Sequence, residues 1–266
     1  GGGGSHFPLP DVMLMTFAAS QQRAAWLSIP MYVDGFQISF VYQDLGPAGD
    51  GAGGGADGFA VVLQNSPAGL QALGGAGGDL GYAGIDNSVA LAFNIYANNN
   101  VGIAFFTNGV VNPPYAPTPP VNIAGGHPIQ VNLAYDGAIA TVHLQDLTTD
   151  QTFDAALPVG SIASLIGTNV AYVGITAATG GIAAHQQFSN FQYVPRPVLA
   201  ATPVDSGILL TWPATVGGYA PAISSSLISG PWTVLTGMNN QTNDLHHRVV
   251  APSGDGQYYR LVMPLP

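Results

Sequence analysis

The chain has 266 residues, enough for one large β domain or two modest ones, each with a real core. Charged residues are 7% of it, against roughly 25% in an average globular protein; the 14 acids are all Asp, the four bases are Arg23, Arg196, Arg248 and Arg260, and there is no Glu, Lys or Cys. A net charge of −10 with so few cations excludes nucleic-acid binding, and the census excludes lysine Schiff bases, cysteine nucleophiles, paired-Glu glycosidases, disulfide frameworks and thiolate zinc sites.

The opening Gly1–Ser5 has the look of an engineered linker, and residues 1–11 read as a Gly/Pro-rich arm. No basic–apolar leader is present, so the chain is expected to be a mature or trimmed form. From there the apolar pattern has a period of two. Strands are expected over Val12–Phe17 and Ala25–Ile29, and over Gly35–Gln43, where Phe36, Ile38, Phe40 and Tyr42 alternate with Gln37, Ser39, Val41 and Gln43. Further strands follow at Phe59–Gln64, Val89–Tyr96, Val101–Thr107, Ile129–Tyr135, Ile139–Asp146, Gln151–Leu157, Val170–Ala177 and Gln186–Val194. Asp136-Gly137 between two alternating runs marks a hairpin, and Ser161–Ile166 reads as a helical turn. Gly46–Gly58 and the proline-rich Asn112–Pro128 are candidate contact loops. The uncharged run Ala155–Ala184 carries Pro158, Asn169 and several glycines, which argues against a membrane span.

A stiff linker over residues 195–199 begins at Pro195-Arg196-Pro197. Beyond it, Ile208–Trp212, Ala222–Ser225, Trp232–Thr236, Arg248–Val250 and Tyr258–Met263 form a second β pattern over residues 200–266, with Trp212 and Trp232 expected in its core. This tail resembles fibronectin type III-like modules of secreted bacterial proteins in its strand pattern and in Trp212-Pro213. The fold class is all-β: a large antiparallel sandwich followed by a small one.

Several blocks in fixed order carry a more specific resemblance. They are Ala56-Asp57-Gly58-Phe59-Ala60-Val61-Val62-Leu63-Gln64-Asn65, Gly77-Gly78-Asp79-Leu80-Gly81-Tyr82, Ser88–Tyr96, Val101-Gly102-Ile103, Tyr135-Asp136-Gly137 and Tyr172–Gly180. Residues 12–194 resemble a legume-type (L-type) lectin domain. The resemblance implies a concanavalin-like jelly roll of two large antiparallel sheets and non-catalytic sugar binding beside a calcium and a transition metal. It gives Asp57 the role of the sugar-contacting acid, with a cis Ala56–Asp57 peptide. It places Gly81 near the second-loop glycine and Asn98 at the third-loop asparagine; Tyr82 is a candidate for stacking on a sugar ring.

The metal positions depart from the family. Its strand reads apolar-Ala-apolar-Glu-apolar-Asp before an aromatic; here Ala92 stands for the Glu and Asn94 for the Asp. The loop that should supply another Asp and a His has shrunk to Ala97-Asn98-Asn99-Asn100. Calcium takes six to eight oxygens, several of them carboxylates, so both the Ca²⁺ and the transition metal are expected to be absent.

Other chemistry is thin. His246 and His247 are adjacent and face opposite ways on a strand, His143 is an exposed strand residue, Gly-x-Ser-x-Gly does not occur, and Asp50, Asp57, Asp146 and Asp150 pair best as turn residues. Asn240-Gln241-Thr242 is a formal glycosylation sequon. Two functions compete. The leading one is a non-catalytic extracellular structural protein that associates with copies of itself into a fibre, appendage or surface layer. The lost metal site, the scarcity of long charged side chains, the Gly/Pro-rich loops and a sheet edge left open by a missing first strand motivate it. The alternative is a carbohydrate-binding adhesin with a metal-independent site at Asp57, Gly81, Tyr82 and Asn98.

Overall fold

The computed structural model describes residues 12–228, 230–237, 239–251 and 256–263. The expected N-terminal arm therefore lies outside the described residues. One compact unit ends at Val194 and a second begins at Pro195.

In the first unit the strands are β1 (Val12–Thr16), β2 (Gln22–Trp26), β3 (Met31–Tyr32), β4 (Phe36–Asp44), β5 (Gly58–Gln64) and β6 (Ser88–Asn94), followed by β7 (Gly102–Thr107), β8 (Ile129–Tyr135), β9 (Ile139–Asp146), β10 (Thr152–Pro158), β11 (Val170–Ala178) and β12 (Gln186–Pro195). Six form a sheet in the order β1-β12-β4-β8-β9-β10; the other runs β2-β11-β5-β6-β7, with β3 also on β11. The sheets face each other across a core built from Phe36, Phe40, Tyr42, Phe59, Phe93 and Phe188 among others. Phe59 and Phe93, cross-strand partners on β5 and β6, stack with ring centroids 4.4 Å apart.

Alternation makes β4 and β8 strands with one wet face, since every second residue is buried. Strands β5 and β6 differ: every residue is buried. Their outer face (Ala60, Val62, Ala90, Ala92) lies under a second apolar cluster of Leu80, Tyr82, Ile85, Phe106 and Tyr115. A strand covered on both faces reads as a continuous apolar run, which Phe59–Leu63 and Val89–Phe93 are.

Three local expectations gain detail. The strand expected at Ala25–Ile29 overlaps β2 only at Ala25 and Trp26: the chain leaves the ladder ahead of Pro30, which has no N–H to give, and pairing with β11 resumes at β3, with the Leu27 and Val33 amides on Val173 O and Asn169 O. The helical turn is a short helix, α1 (Ile162–Ile166), capped by the Ser161 hydroxyl. The two candidate contact loops are partly anchored and partly exposed: Val121 and Ile123 join the main core and Tyr115 the second cluster, while residues 47–50 and 112–114 are exposed. The loops also lock to each other, with Gly54 N–H on Ala124 O at 3.1 Å. A Cβ on Gly53 would stand 2.4 Å from that same carbonyl oxygen.

The second unit holds β13 (Ala200–Val204), β14 (Gly207–Pro213), β15 (Ala220–Ser224), β16 (Thr233–Val234), β17 (Asn240–Thr242), β18 (Leu245–Val250) and β19 (Tyr258–Val262). They form sheets in the orders β13-β14-β18-β17 and β16-β15-β19. Trp212 is buried with Leu210 and Ala222. Trp232 is not core, contrary to expectation: it is half-exposed, with the Arg260 guanidinium 4.2 Å above its ring.

Candidate functional site

The loops at one end of β5, β6 and β11 converge on Asp57. The Ala56–Asp57 peptide is cis. The Asp57 N–H donates to Ala178 O at 3.1 Å and its carbonyl accepts from Ile95 N–H at 2.9 Å. Its main chain is thus held between the end of β11 and the segment that follows β6. Next to it, Gly58 has φ +144, and a Cβ there would stand 2.1 Å from Phe93 O, so only glycine lets the chain enter β5 at this point.

The Asp57 side chain is 7% exposed, and among the described residues its Oδ2 has no hydrogen-bond partner. Burial raises its pKa above the ordinary carboxyl value, and the Gly180 amide offsets part of that rise. Glycines make the space around it. A Cβ on Gly180 would meet Oδ2 at 2.8 Å and one on Gly77 would approach it to 3.7 Å. The Gly180 loop is pinned by Thr179, whose hydroxyl donates to Ala18 O at 2.6 Å and accepts from Gln21 N–H at 2.9 Å. Gly77 N–H bonds Thr179 O at 3.1 Å, which ties the second glycine loop to the same frame. The buried Tyr115 hydroxyl stands near both Asp57 and Asp79: burial first, then those two charges, push its pKa to about 12.

The loop after β6 completes the cluster. Asn94 is buried, and its Nδ2 donates to Tyr96 O and Asn100 O, each at 3.0 Å. One amide therefore gathers two carbonyls of the 95–100 loop. Asn98 is exposed and its amide donates to the Tyr96 hydroxyl at 2.7 Å. Ala92 offers no donor atom. Among the described residues no three His or Asp side chains gather into a metal-binding group.

Of the expected site residues, Asp57 and the Asn98 loop are brought together through the Ile95 amide. Tyr82 cannot stack on a ligand: it is fully buried, and its hydroxyl accepts from Ser88 Oγ at 3.1 Å and Gly109 N–H at 3.0 Å. It is an internal anchor for two loops. Gly81 turns the same way, since a Cβ there would press on Ala177 O, Thr176 and Arg23 O at 3.2–3.3 Å. The glycines beside the carboxylate are Gly77 and Gly180, and the half-exposed aromatic on the neighbouring loop is Tyr96. Their sequence signal is modest: glycine doublets Gly77-Gly78 and Gly180-Gly181, and an aromatic two residues beyond a buried Asn.

No family model matches the sequence. In structure the chain is similar to lectin II from Ulex europaeus, at 17% identity and TM-score 0.55 over 69% of this chain and 86% of that one. It is similar to arcelin-5, a lectin-like defence protein from Phaseolus vulgaris, at 15% identity and TM-score 0.56 over 71% and 94%. It is also similar to the metal-free form of lectin I-B4 from Griffonia simplicifolia, at 17% identity and TM-score 0.56 over 73% and 97%. At such identities the likeness is one of fold. The first unit is a legume lectin-like β-sandwich.

Proposed function

We propose that the chain is a non-catalytic extracellular glycan-binding protein, with its sugar site in the loops around Asp57. The observation that carries this reading is the buried Asp57 Oδ2, which has no well-aligned hydrogen-bond partner among the described residues: the Gly180 amide lies near the carboxylate, and Gly77 and Gly180 leave space beside it. Buried acceptors are nearly always paired, and a sugar hydroxyl is a donor of the right size. Exposed Asn98 and half-exposed Tyr96 supply an amide and a ring on the adjoining loop. The fold likeness adds support, since structural neighbours at 17–18% identity include a basic winged bean lectin solved with Tn-antigen and a Bauhinia forficata lectin solved with GalNAc. Self-association, the leading expectation from the sequence, gains no support from the fold likeness, and the glycan reading takes its place.

The binding is proposed to need no metal. The donors at the family's metal positions do not fit a divalent cation: Ala92 has no ligand atom and the Asn94 amide hydrogens point at the carbonyls a cation would use. Hydrogen bonds hold the 95–100 loop in place of coordination. The second unit is proposed as a fibronectin type III-like accessory module, which its sheets of four and three strands support. No helix among the described residues is long and apolar enough to cross a membrane.

Glycan-array binding, with and without chelator, on the parent protein and Asp57→Ala tests the reading. Binding is expected to persist in chelator and to fall about tenfold or more in the variant, the range for losing a hydrogen bond to a charged group. Binding abolished by chelator, or unchanged in Asp57→Ala, overturns it.

A further inference from the structure

The sheet that does not carry Asp57 has a hollow on its outer face. Its volume is about 670 Å³. Two cross-strand rows form its floor. Ser39, Asn132, His143 and Asp154 are successive partners across β4, β8, β9 and β10, and Gln37, Ala134, Thr141 and Ala156 form the adjacent row. Gln192 and Val194 of β12 stand at its side. With strands about 4.8 Å apart, four of them make a trough about 15 Å across, long enough for two or three sugar rings lying over the strands.

Its chemistry is narrow. Small residues keep the centre low: Ser39, Ala134, Thr141 and Ala156. Hydrogen-bonding groups surround them together with apolar surface that includes Ile38, Leu133, Val142 and Val194, and apart from the His143–Asp154 pair the lining is uncharged. His143 Nδ1 lies 2.8 Å from Asp154 Oδ1. With that nitrogen donating to the carboxylate, Nε2 of a neutral ring is an acceptor. No arginine lines the trough, so an anionic ligand meets a carboxylate with no cation to offset it. A ligand rich in neutral hydroxyls, each both donor and acceptor, matches amides, hydroxyls, an imidazole acceptor and one carboxylate. A second copy fits poorly, because two hollow faces laid back to back enclose a doubled void where packed proteins leave almost none. A peptide strand gains its main-chain hydrogen bonds at a sheet edge, which this face does not offer.

We infer that this trough is a second carbohydrate site, taking a neutral oligosaccharide across β4, β8, β9 and β10 independently of Asp57. The domain then has two sugar-binding surfaces on different sheets. Because the proposed site is open and lacks an exposed aromatic platform, its affinity is expected to be weak and dominated by hydrogen bonds.

The test uses the full chain carrying Asp57→Ala, so that the loop site is silent. Cellohexaose, maltohexaose, laminarihexaose and chitohexaose are titrated in turn to about 10 mM while backbone amide shifts are followed by NMR, with heparin as the anionic control. The inference expects at least one neutral hexasaccharide to shift the amides of Ser39, Asn132, Thr141 and His143. Adding Thr141→Trp, which fills the trough from an exposed position, is expected to weaken that binding about tenfold or more. Asn132→Ala should weaken it less, and both variants should keep the parent circular dichroism. No shifts in the trough with any neutral sugar, a preference for heparin, or binding indifferent to Thr141→Trp each overturn the inference. So does a concentration-dependent dimer that Thr141→Trp dissolves in the absence of sugar binding, which would make the face an interface between copies. The two readings fail separately. Sugar bound only while Asp57 is intact leaves the loop site standing alone; sugar bound equally by Asp57→Ala and lost with Thr141→Trp leaves the trough.

Discussion

Asp57 and Gly180 form one unit although 123 positions separate them, because the glycine leaves the gap into which Oδ2 points. Gly180→Ala puts a methyl 2.8 Å from that oxygen and must displace it. The expected result is loss of glycan affinity comparable to Asp57→Ala with little change in unfolding midpoint, measured by calorimetric titration beside urea melts. The acid limb of binding follows from the same carboxyl. Burial raises its pKa above the ordinary 3.8, so at neutral pH the charged form costs native stability, and that cost is relieved as pH falls through the raised value. A hydroxyl donated by a ligand favours the ionised form. Affinity should therefore decline on acidification through a midpoint above 3.8, and a pH series of binding constants with a midpoint below it contradicts the assignment. Asn94 supplies a further check. In Asn94→Asp a carboxylate faces Tyr96 O and Asn100 O with no hydrogens to give, and a loss of about 1–3 kcal/mol in chemical denaturation is expected. The cis Ala56–Asp57 peptide was legible in the sequence because its whole block has a counterpart in the family that residues 12–194 resemble. Tyr82 misled because it follows a glycine loop, and adjacency along the chain says nothing about which way a ring turns. Gly77 and Gly180 were hidden because their relation to Asp57 exists only in space.

Among the elements, the β9–β10 hairpin shows how a turn is secured without lysine or disulfides. Asp146 ends β9, and its Oδ1 accepts from Thr148 N–H at 2.8 Å and Thr149 N–H at 3.1 Å. Its Oδ2 meets His127 Nδ1 at 2.8 Å, which fastens the end of the proline-rich loop. Burial works to raise the Asp146 pKa, but the His127 and Thr contacts outweigh it and the value is lowered. A depressed carboxyl contributes stability above its unfolded pKa and loses it as pH falls through the folded one. Asp146→Ala should cost about 1–3 kcal/mol at pH 7, with the gap to the parent closing in strong acid, as urea titrations at both pH values will read. At this scale alternation was a good guide: β4, β8 and β9 each have one buried and one wet face, and their limits follow the apolar pattern closely. It failed for β13 and β17, whose residues are all exposed. Main-chain pairing with β14 and β18 forms these strands, and an exposed ladder leaves no apolar trace.

For the whole molecule, the chain divides at Val194 into two compact units, each with its own buried residues. Residues 12–194 are expected to fold alone, and calorimetry of the full chain should resolve two transitions. Phe59→Ala, which removes the ring stacked on Phe93 and 4.3 Å from Tyr42, should destabilise the larger unit by about 3–5 kcal/mol. Only the transition of that unit should move. The general architecture was legible because a two-sheet sandwich writes itself into period-two runs and their order. The loop packing was not, since Gly46–Gly58 and Asn112–Pro128 look like solvated connectors until their backbones are seen interlocked. Strands β5 and β6, covered on both faces, have a kinetic consequence for recognition. Amide protons in such strands exchange with solvent only when the sheet itself opens, and the Asp57 loops hang from their ends. Deuterium uptake in these two strands should match the rate of global opening, so the floor from which the binding loops hang persists on the same clock as the folded state.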